Sequence, residues 1–207
     1  MNTIAVIDFE TTGLSPTRGD RATEIAAVLL RDGQIVDRYQ SLMNAGLSIP
    51  PFITQLTGIS TSMVRQAPPA ERVMAEVADF VGTIPLIAHN AAFDSRFWDA
   101  ELRRIGRQRR QSFVCSMLLA KRLMPQAASY KLGNLVAMAG LPTAARAHRA
   151  LADAEMAAHL TLHLERELMR RFGLAAVTHE LLGRIQRVSQ GNLQGCVERY
   201  GTDRVGC

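Results

Sequence analysis

Asp8 and Glu10 close an apolar run, Ile4-Ala5-Val6-Ile7, with Phe9 between them. A run without alternation suits a strand covered on both faces. In a strand, residues two apart project to the same side. Two carboxylates then stand together at the strand's end, where they repel each other and resist desolvation. Something positive must sit between them. Asp-x-Glu recurs at Asp99/Glu101 and Asp153/Glu155. Both of those pairs fall in helical stretches, where residues two apart point to different sides. Spacing and local structure together single out the first pair.

Two later stretches carry acids at element boundaries. In "LIAHNAAFDSRFWDAEL" a short apolar strand ends at His89-Asn90, and Asp94 lies one turn into the helix that follows. Strand ends of such sheets are where ligands gather, although a first-turn carboxylate also simply complements the helix dipole. In "AHRALADAEMA" His148 sits where the last long helix starts and Asp153 about one turn in. His159 and His163 have the i, i+4 spacing of zinc ligands, but Glu155, Glu167 and Arg170 place them on a solvated face. The run Arg103, Arg104, Arg107, Arg109, Arg110 reads as a solvated helix C-terminus rather than a nucleic-acid patch.

Asp8-Phe9-Glu10-Thr11-Thr12-Gly13, His89-Asn90-Ala91-Ala92-Phe93-Asp94 and His148-Arg149-Ala150-Leu151-Ala152-Asp153 follow one another in that order. Together they resemble the three Exo motifs of the DEDD exonucleases. More narrowly, they resemble the histidine-bearing, DnaQ-like branch, which includes the proofreading subunits of bacterial replicative polymerases. The match runs from about Ile4 to Leu168, and "ATEIAAV" and "LTGIS" are also familiar from that branch. Phe9 departs from it, standing where a threonine is often found. The resemblance implies an RNase H-like α/β fold, a mixed sheet flanked by helices, and 3′–5′ exonuclease activity with two divalent cations. It implies that Asp8, Glu10, Asp94 and Asp153 bind the metals, Asp8 bridging both, and that His148 is the general base. It also implies that Thr11 and Gly13 approach the 3′-terminal sugar and that Leu14 and Phe93 pack on the terminal base, with Asn90 beside them. Leu14 and Phe93 are equally compatible with plain core. Arg146 and Arg149 flank His148 and are candidates for phosphate contact.

Elementary chemistry agrees. Mg²⁺ and Mn²⁺ favour carboxylate oxygens and retained waters, and four carboxylates balance two dications. Two such ions about 3.5–4 Å apart stabilise the attacking and leaving oxygens of a phosphoryl displacement. A histidine, with an ordinary pKa of about 6.5, is suited to take a proton from water near neutral pH. The expected substrate is a single-stranded or frayed DNA 3′ end, released as nucleoside 5′-monophosphates, since "HNAAFD" is closest to the proofreading branch. An RNA 3′ end is the alternative substrate, and a polymerase accessory subunit the alternative role. No clamp-binding run of glutamine followed by aliphatic and aromatic residues is present.

The elements that must position these residues follow from the pattern. "ATEIAAVLLRDGQIVDRYQSLM" reads as a hairpin turning at Asp32-Gly33. "PPFITQLTGIS" predicts a short helix closed by Gly58, with Ser60 capping the next. Pro68-Pro69 opens a helix to about Val81, Asn90 caps one to about Ile105, and "SFVCSML" is a strand leading into a helix. Gln126 to Tyr130 is a loop, "KLGNLVAMAG" a helix, and the last long helix spans about Arg149 to Arg171. Strands in hairpin order followed by strands alternating with helices predict a mixed sheet.

The chain has 207 residues, 47% of them hydrophobic, and a formal net charge of +5. That length and composition favour a globular chain; with the resemblance, residues 1–172 are expected to form the exonuclease domain and 173–207 a C-terminal extension, either a loosely attached tail or a partner-binding segment. A modest positive balance is compatible with a polyanionic partner without demonstrating one. No apolar run reaches membrane-span length. A strand that starts at once leaves no room for a signal peptide. Three scattered cysteines, Cys115, Cys196 and Cys207, fit a reducing compartment. The expectation is a cytoplasmic protein with no membrane partner.

Overall fold

The structure, a computed structural model, describes residues 3–143 and 148–205. Arg146 lies outside the described residues. A five-stranded sheet is built from β1 (Thr3–Thr11), β2 (Ala22–Arg31), β3 (Gln34–Leu42), β4 (Leu86–Ala88) and β5 (Phe113–Cys115), in the order β3-β2-β1-β4-β5. β1 pairs antiparallel with β2 and parallel with β4. β2 and β3 are antiparallel, and β4 and β5 parallel. The sheet is mixed, as expected.

Period-two alternation along β1 divides the core. Ala5, Ile7 and Phe9 face one layer, with α3 (Ala70–Val81) and α4 (Ala91–Arg104). Ile4 and Val6 face the other, with α5 (Ser116–Leu123), α6 (Leu132–Met138) and α7 (Ala150–Phe172). Burial on both sides is why β1 lacks alternating polarity up to Asp8. The hairpin turns at Asp32 and Gly33, both at positive φ, which is the left-handed geometry that Asp-Gly supplies. Two short helices, α1 (Pro51–Thr57) and α2 (Thr61–Gln66), cover a small satellite cluster around Ile53 and Ile59. Gly58 ends α1 at φ 74°, and the Ser60 hydroxyl accepts from the Met63 N–H, as the capping signals predicted.

Two expectations are corrected. The residues after Gly173 are not loosely attached. They form α8 (His179–Ile185) and α9 (Leu193–Val205), and Leu181, Leu182, Ile185, Leu193, Val197 and Tyr200 join the core against α5 and α7. Three such anchors per helix are few enough to look polar in sequence, yet they suffice to fasten two short helices. Asn90 stands at the start of α4 without capping it. It adopts a left-handed conformation (φ 67°, ψ 46°), and its side chain makes no capping hydrogen bond, because the chain must turn sharply from β4 into the helix.

Candidate active site

β1 ends where three segments meet. Asp8 and Glu10 leave its terminal residues on the α7 side of the sheet. Asp94 rises from the first turn of α4, and Asp153 from the first turn of α7. Register changes between Glu10 and Thr11, where β1 parts from β2. The Phe9 N–H donates to Asp94 Oδ1 at 3.2 Å, which ties the second acid site to the backbone between the first two acids. His148 precedes α7 at φ 60°, and its N–H donates to Asp153 Oδ2 at 3.0 Å. Left-handed conformations are uncommon outside glycine and are enriched for Asn, Asp and His. Apart from the hairpin's Asp32, the two described non-glycine residues at positive φ are Asn90 and His148, both in motif loops.

Ligand atoms of Glu10, His148 and Asp153 lie within 4.8 Å of one another. Asp8, Asn90, His148 and Asp153 line a cleft of about 800 Å³, whose other wall carries Lys121, Tyr130 and Lys131. All five predicted catalytic and metal positions are therefore brought to one end of β1. The electrostatics report crowding. Burial, with Asp153 and Glu24 adding and Arg149 opposing, pushes Glu10 up to about 8. Burial pushes Asp94 up to about 8 despite the Phe9 N–H. Asp8 is raised by burial and then by Asp94, Asp153 and Glu10, and Asp153 by burial against the pull of His148. Carboxylates that hold protons this firmly are short of positive charge. Hard oxygen donors plus one imidazole are a set that suits Mg²⁺ or Mn²⁺.

The predicted substrate-side residues take distinct positions. Thr11 is buried, and its hydroxyl donates to the Gly13 carbonyl at 2.6 Å. At Gly13 a Cβ would fall 2.4 Å from Asp20 Oδ1, and the Asp20 carboxylate accepts the Ser15 N–H at 2.9 Å. The glycine therefore lets Asp20 close the turn. Leu14, at the tip of that turn, is 77% exposed. Such exposure is inconsistent with core packing. Phe93 is half-buried and stacks on Phe97, ring centroids 5.0 Å apart. Phe9, the departure from the family motif, packs against Phe97 and edge-on to Trp98.

Arg149 requires correction. It is not free for phosphate: its guanidinium donates to Glu24 at 2.7 and 3.1 Å. Glu24 is fully buried on β2 and also accepts from the Ala150 N–H (3.0 Å) and from Gln40 (2.7 Å). Burial favours a neutral Glu24, but these hydrogen bonds and the Arg149 charge overcome it and hold the carboxyl below its ordinary value. This pair clamps the first turn of α7, and with it Asp153, to the sheet. Sequence reasoning missed the role of Glu24, and its one signal was an acid inside the otherwise uncharged "ATEIAAV". His89 was also missed as a positioning group. Its Nε2 donates to the Tyr130 carbonyl at 2.9 Å and its Nδ1 meets Ser116 Oγ at 2.9 Å. Burial lowers its pKa, so the ring is a neutral brace between β4, α5 and the loop that forms the far wall. Of the basic run, Arg104, Arg107 and Arg109 pair with Glu101, Asp79 and Asp99.

Comparison with known proteins matches this arrangement. The chain belongs to the RNase_T exonuclease family, whose match covers residues 5–161, and to its histidine-bearing, DnaQ-like DEDD branch of 3′–5′ exonucleases. It is 37% identical over 186 residues to the 3′-5′ exonuclease DinG of Bacillus subtilis, covering 89% of this chain and 19% of that protein. It is 36% identical over 177 residues to the PolC-type DNA polymerase III of Thermotoga petrophila, covering 85% of this chain and 13% of that one. The chain thus spans about a fifth or less of these relatives. Among solved structures, exonuclease X in complex with 5′ overhanging duplex DNA superposes with a TM-score of 0.70 at 29% identity, covering 88% of this chain and 99% of that one. The fold is RNase H-like. Exonucleases of this family need divalent metal ions. No helix among the described residues is long and apolar enough to cross a membrane.

Proposed function

We propose that this chain removes nucleotides one at a time from single-stranded or frayed DNA 3′ ends, releasing nucleoside 5′-monophosphates. The observation that carries the reading is the convergence of Asp8, Glu10, Asp94 and Asp153 with His148 from three separated segments. Those four acids would hold two divalent cations, Mg²⁺ or Mn²⁺, with Asp8 as the shared ligand. When bound, such ions supply charge stabilisation for the attacking and leaving oxygens.

The protein's own side chains do the rest. His148, anchored through its N–H to Asp153, takes the proton of the attacking water. Thr11, Gly13 and Asn90 present the terminal nucleotide, and Leu14 and Phe93 pack on its base. Lys121 and Lys131 face the incoming backbone from the opposite wall. DNA is favoured over RNA by the likeness to exonuclease X, which was captured on a 5′ overhanging DNA duplex. The resemblance to PolC-type polymerases supports proofreading beside a polymerase. On this reading residues 1–172 form the exonuclease domain and 173–207 an extension that braces it.

The test is a 5′-labelled DNA oligonucleotide incubated with the protein and Mg²⁺ or Mn²⁺, beside RNA of the same sequence. Stepwise shortening from the 3′ end, faster on DNA and abolished by Asp8→Ala or by chelation, is expected. Equal degradation by Asp8→Ala would overturn the assignment. Co-purification with a polymerase catalytic subunit tests the proofreading role.

A further inference from the structure

Residues 13–20 form the turn that presents Gly13 and Leu14, and none of them is buried. A hollow of about 490 Å³ lies between Ser15–Thr17 and the outer face of α4 at Arg96 and Arg103, so little packing fixes the turn against that helix. Its position is set where its two arms join the sheet. There Thr12 and Arg21 face each other. The Thr12 N–H donates to the Arg21 carbonyl at 2.9 Å, and the Arg21 N–H donates to Thr12 Oγ1 at 3.0 Å.

Arg21 carries this junction to α4. Its guanidinium donates to the Glu101 carboxylate through Nε at 2.8 Å and Nη2 at 2.9 Å, and the Ala22 N–H donates to the same carboxylate at 3.3 Å. The remaining nitrogen, Nη1, donates to the Ala45 carbonyl at 3.4 Å. Glu71 and Arg104 stand 3.9 and 3.8 Å from the pair, beyond hydrogen-bond reach. The Arg21 side chain is 11% exposed and that of Glu101 2%. Two parallel N–H···O bonds fix orientation as well as distance, which the point charge of a lysine does not.

Glu101 is seven residues beyond Asp94, on the same face of α4 and about 10 Å further along its axis. Asp94 takes the Phe9 N–H of β1, and Glu101 takes the N–H of Ala22, which pairs with Thr11 where β1 and β2 part. These two carboxylates fasten α4 to the sheet at the acid cluster and at the root of the turn. A buried ion pair is not required for stability, since apolar side chains of similar volume often serve as well. What they do not supply is a fixed direction. We propose that Arg21 and Glu101 are a positioning pair. They hold the turn bearing Gly13 and Leu14 at a set distance and angle from the acids, and they act on the terminal nucleotide only through that turn. Their effect on turnover rests on the exonuclease reading; their effect on the rigidity of the turn does not.

The test removes both charges from the full chain with Arg21→Met and Glu101→Gln, which leaves an acceptor for the Ala22 N–H. Arg21→Met alone strands the Glu101 charge and should lower Tm by about 10 °C. Adding Glu101→Gln should return most of that loss without restoring position. In the double variant, hydrogen exchange of amides 13–20, followed by mass spectrometry without metal, should quicken by about tenfold or more, while exchange in β1 stays as in the unaltered protein. On a DNA oligonucleotide with Mg²⁺, KM should rise by about tenfold or more and kcat should change by less than about threefold, because Asp94 keeps its bond to Phe9. Arg21→Lys, which keeps the charge but loses the two parallel bonds, should fall between. Unaltered exchange over 13–20 in the double variant would overturn the proposal, and so would an unaltered KM. Should the double variant fail to regain stability, Arg21→Lys decides on the same two readouts. If the unaltered protein does not degrade DNA, the exonuclease reading fails, and the exchange result alone then decides on the pair.

Discussion

The Phe9 N–H and the Asp94 carboxylate meet at 3.2 Å, joining the backbone between Asp8 and Glu10 to the start of α4. An amide oxygen can accept the same bond. Asp94→Asn should therefore keep the fold and its thermal stability to within about 1 kcal/mol without metal, since Asp94 already favours its neutral form. On the proposed function, which makes Asp94 a metal ligand, loss of that charge should lower kcat by about a hundredfold or more. Thermal melts paired with single-turnover hydrolysis check the split.

Gly13→Ala places a Cβ against the Asp20 carboxylate. The carboxylate must then leave the Ser15 N–H, and the turn loosens at a cost of about 1–3 kcal/mol. Urea unfolding measures the loss. Adding Asp20→Ala to Gly13→Ala should destabilise by less than the sum of the two single changes, because both remove the same closure.

Arg149→Ala leaves the buried Glu24 charge with two neutral donors, Ala150 and Gln40. Breaking a buried pair from one side costs about 3–5 kcal/mol. Placing Glu24→Gln in the same chain removes the stranded charge, and part of the loss should return. If Arg149→Ala instead left stability unchanged but weakened binding of DNA, the phosphate role set aside above would be restored.

The pH dependence of stability has a definite sign. Asp8, Glu10, Asp94 and Asp153 all have folded values above those of an unfolded chain. Their contribution is fully present below about pH 4 and is lost as pH rises through the folded values, which for Glu10 and Asp94 are about 8. Glu24 runs the other way, its contribution being lost only as pH falls into the ordinary carboxylate range. Buried His89 and His179 have lowered values and stop titrating above about pH 7. Between pH 7 and 9 the acids therefore dominate, and the metal-free protein should melt lower at pH 9, by about 2–4 °C per kcal/mol lost. Adding Mg²⁺ should raise Tm more at pH 9 than at pH 7, because fewer protons need to leave. A metal-induced rise that is larger at pH 7 would contradict the acid cluster as described.

What was legible beforehand depended on whether the determining contact was local. The hairpin at Asp32-Gly33 and the Ser60 cap are local chemistry and were placed correctly. Asp8 and Glu10 were selected over two look-alike pairs by strand period, and the structure confirms the distinction. Asp99 is bound by Arg109 at the surface, whereas Glu101 is buried with Arg21. The clamp between Glu24 and Arg149 joins β2 to α7 across most of the chain, and no local pattern announces it. The C-terminal helices were under-read for the same reason, because their apolar residues are sparse and acquire meaning only against α5 and α7.

Because Asp153 follows Asp8 only after α1 through α6 have been made, no early portion of the polypeptide can assemble the acid cluster. On the proposed function a ribosome-bound or truncated chain is catalytically silent, and cutting power arrives only when α7 docks. On that reading the delay works as a safeguard for nucleic acid near the nascent chain, written into the order of the elements rather than supplied by an inhibitor.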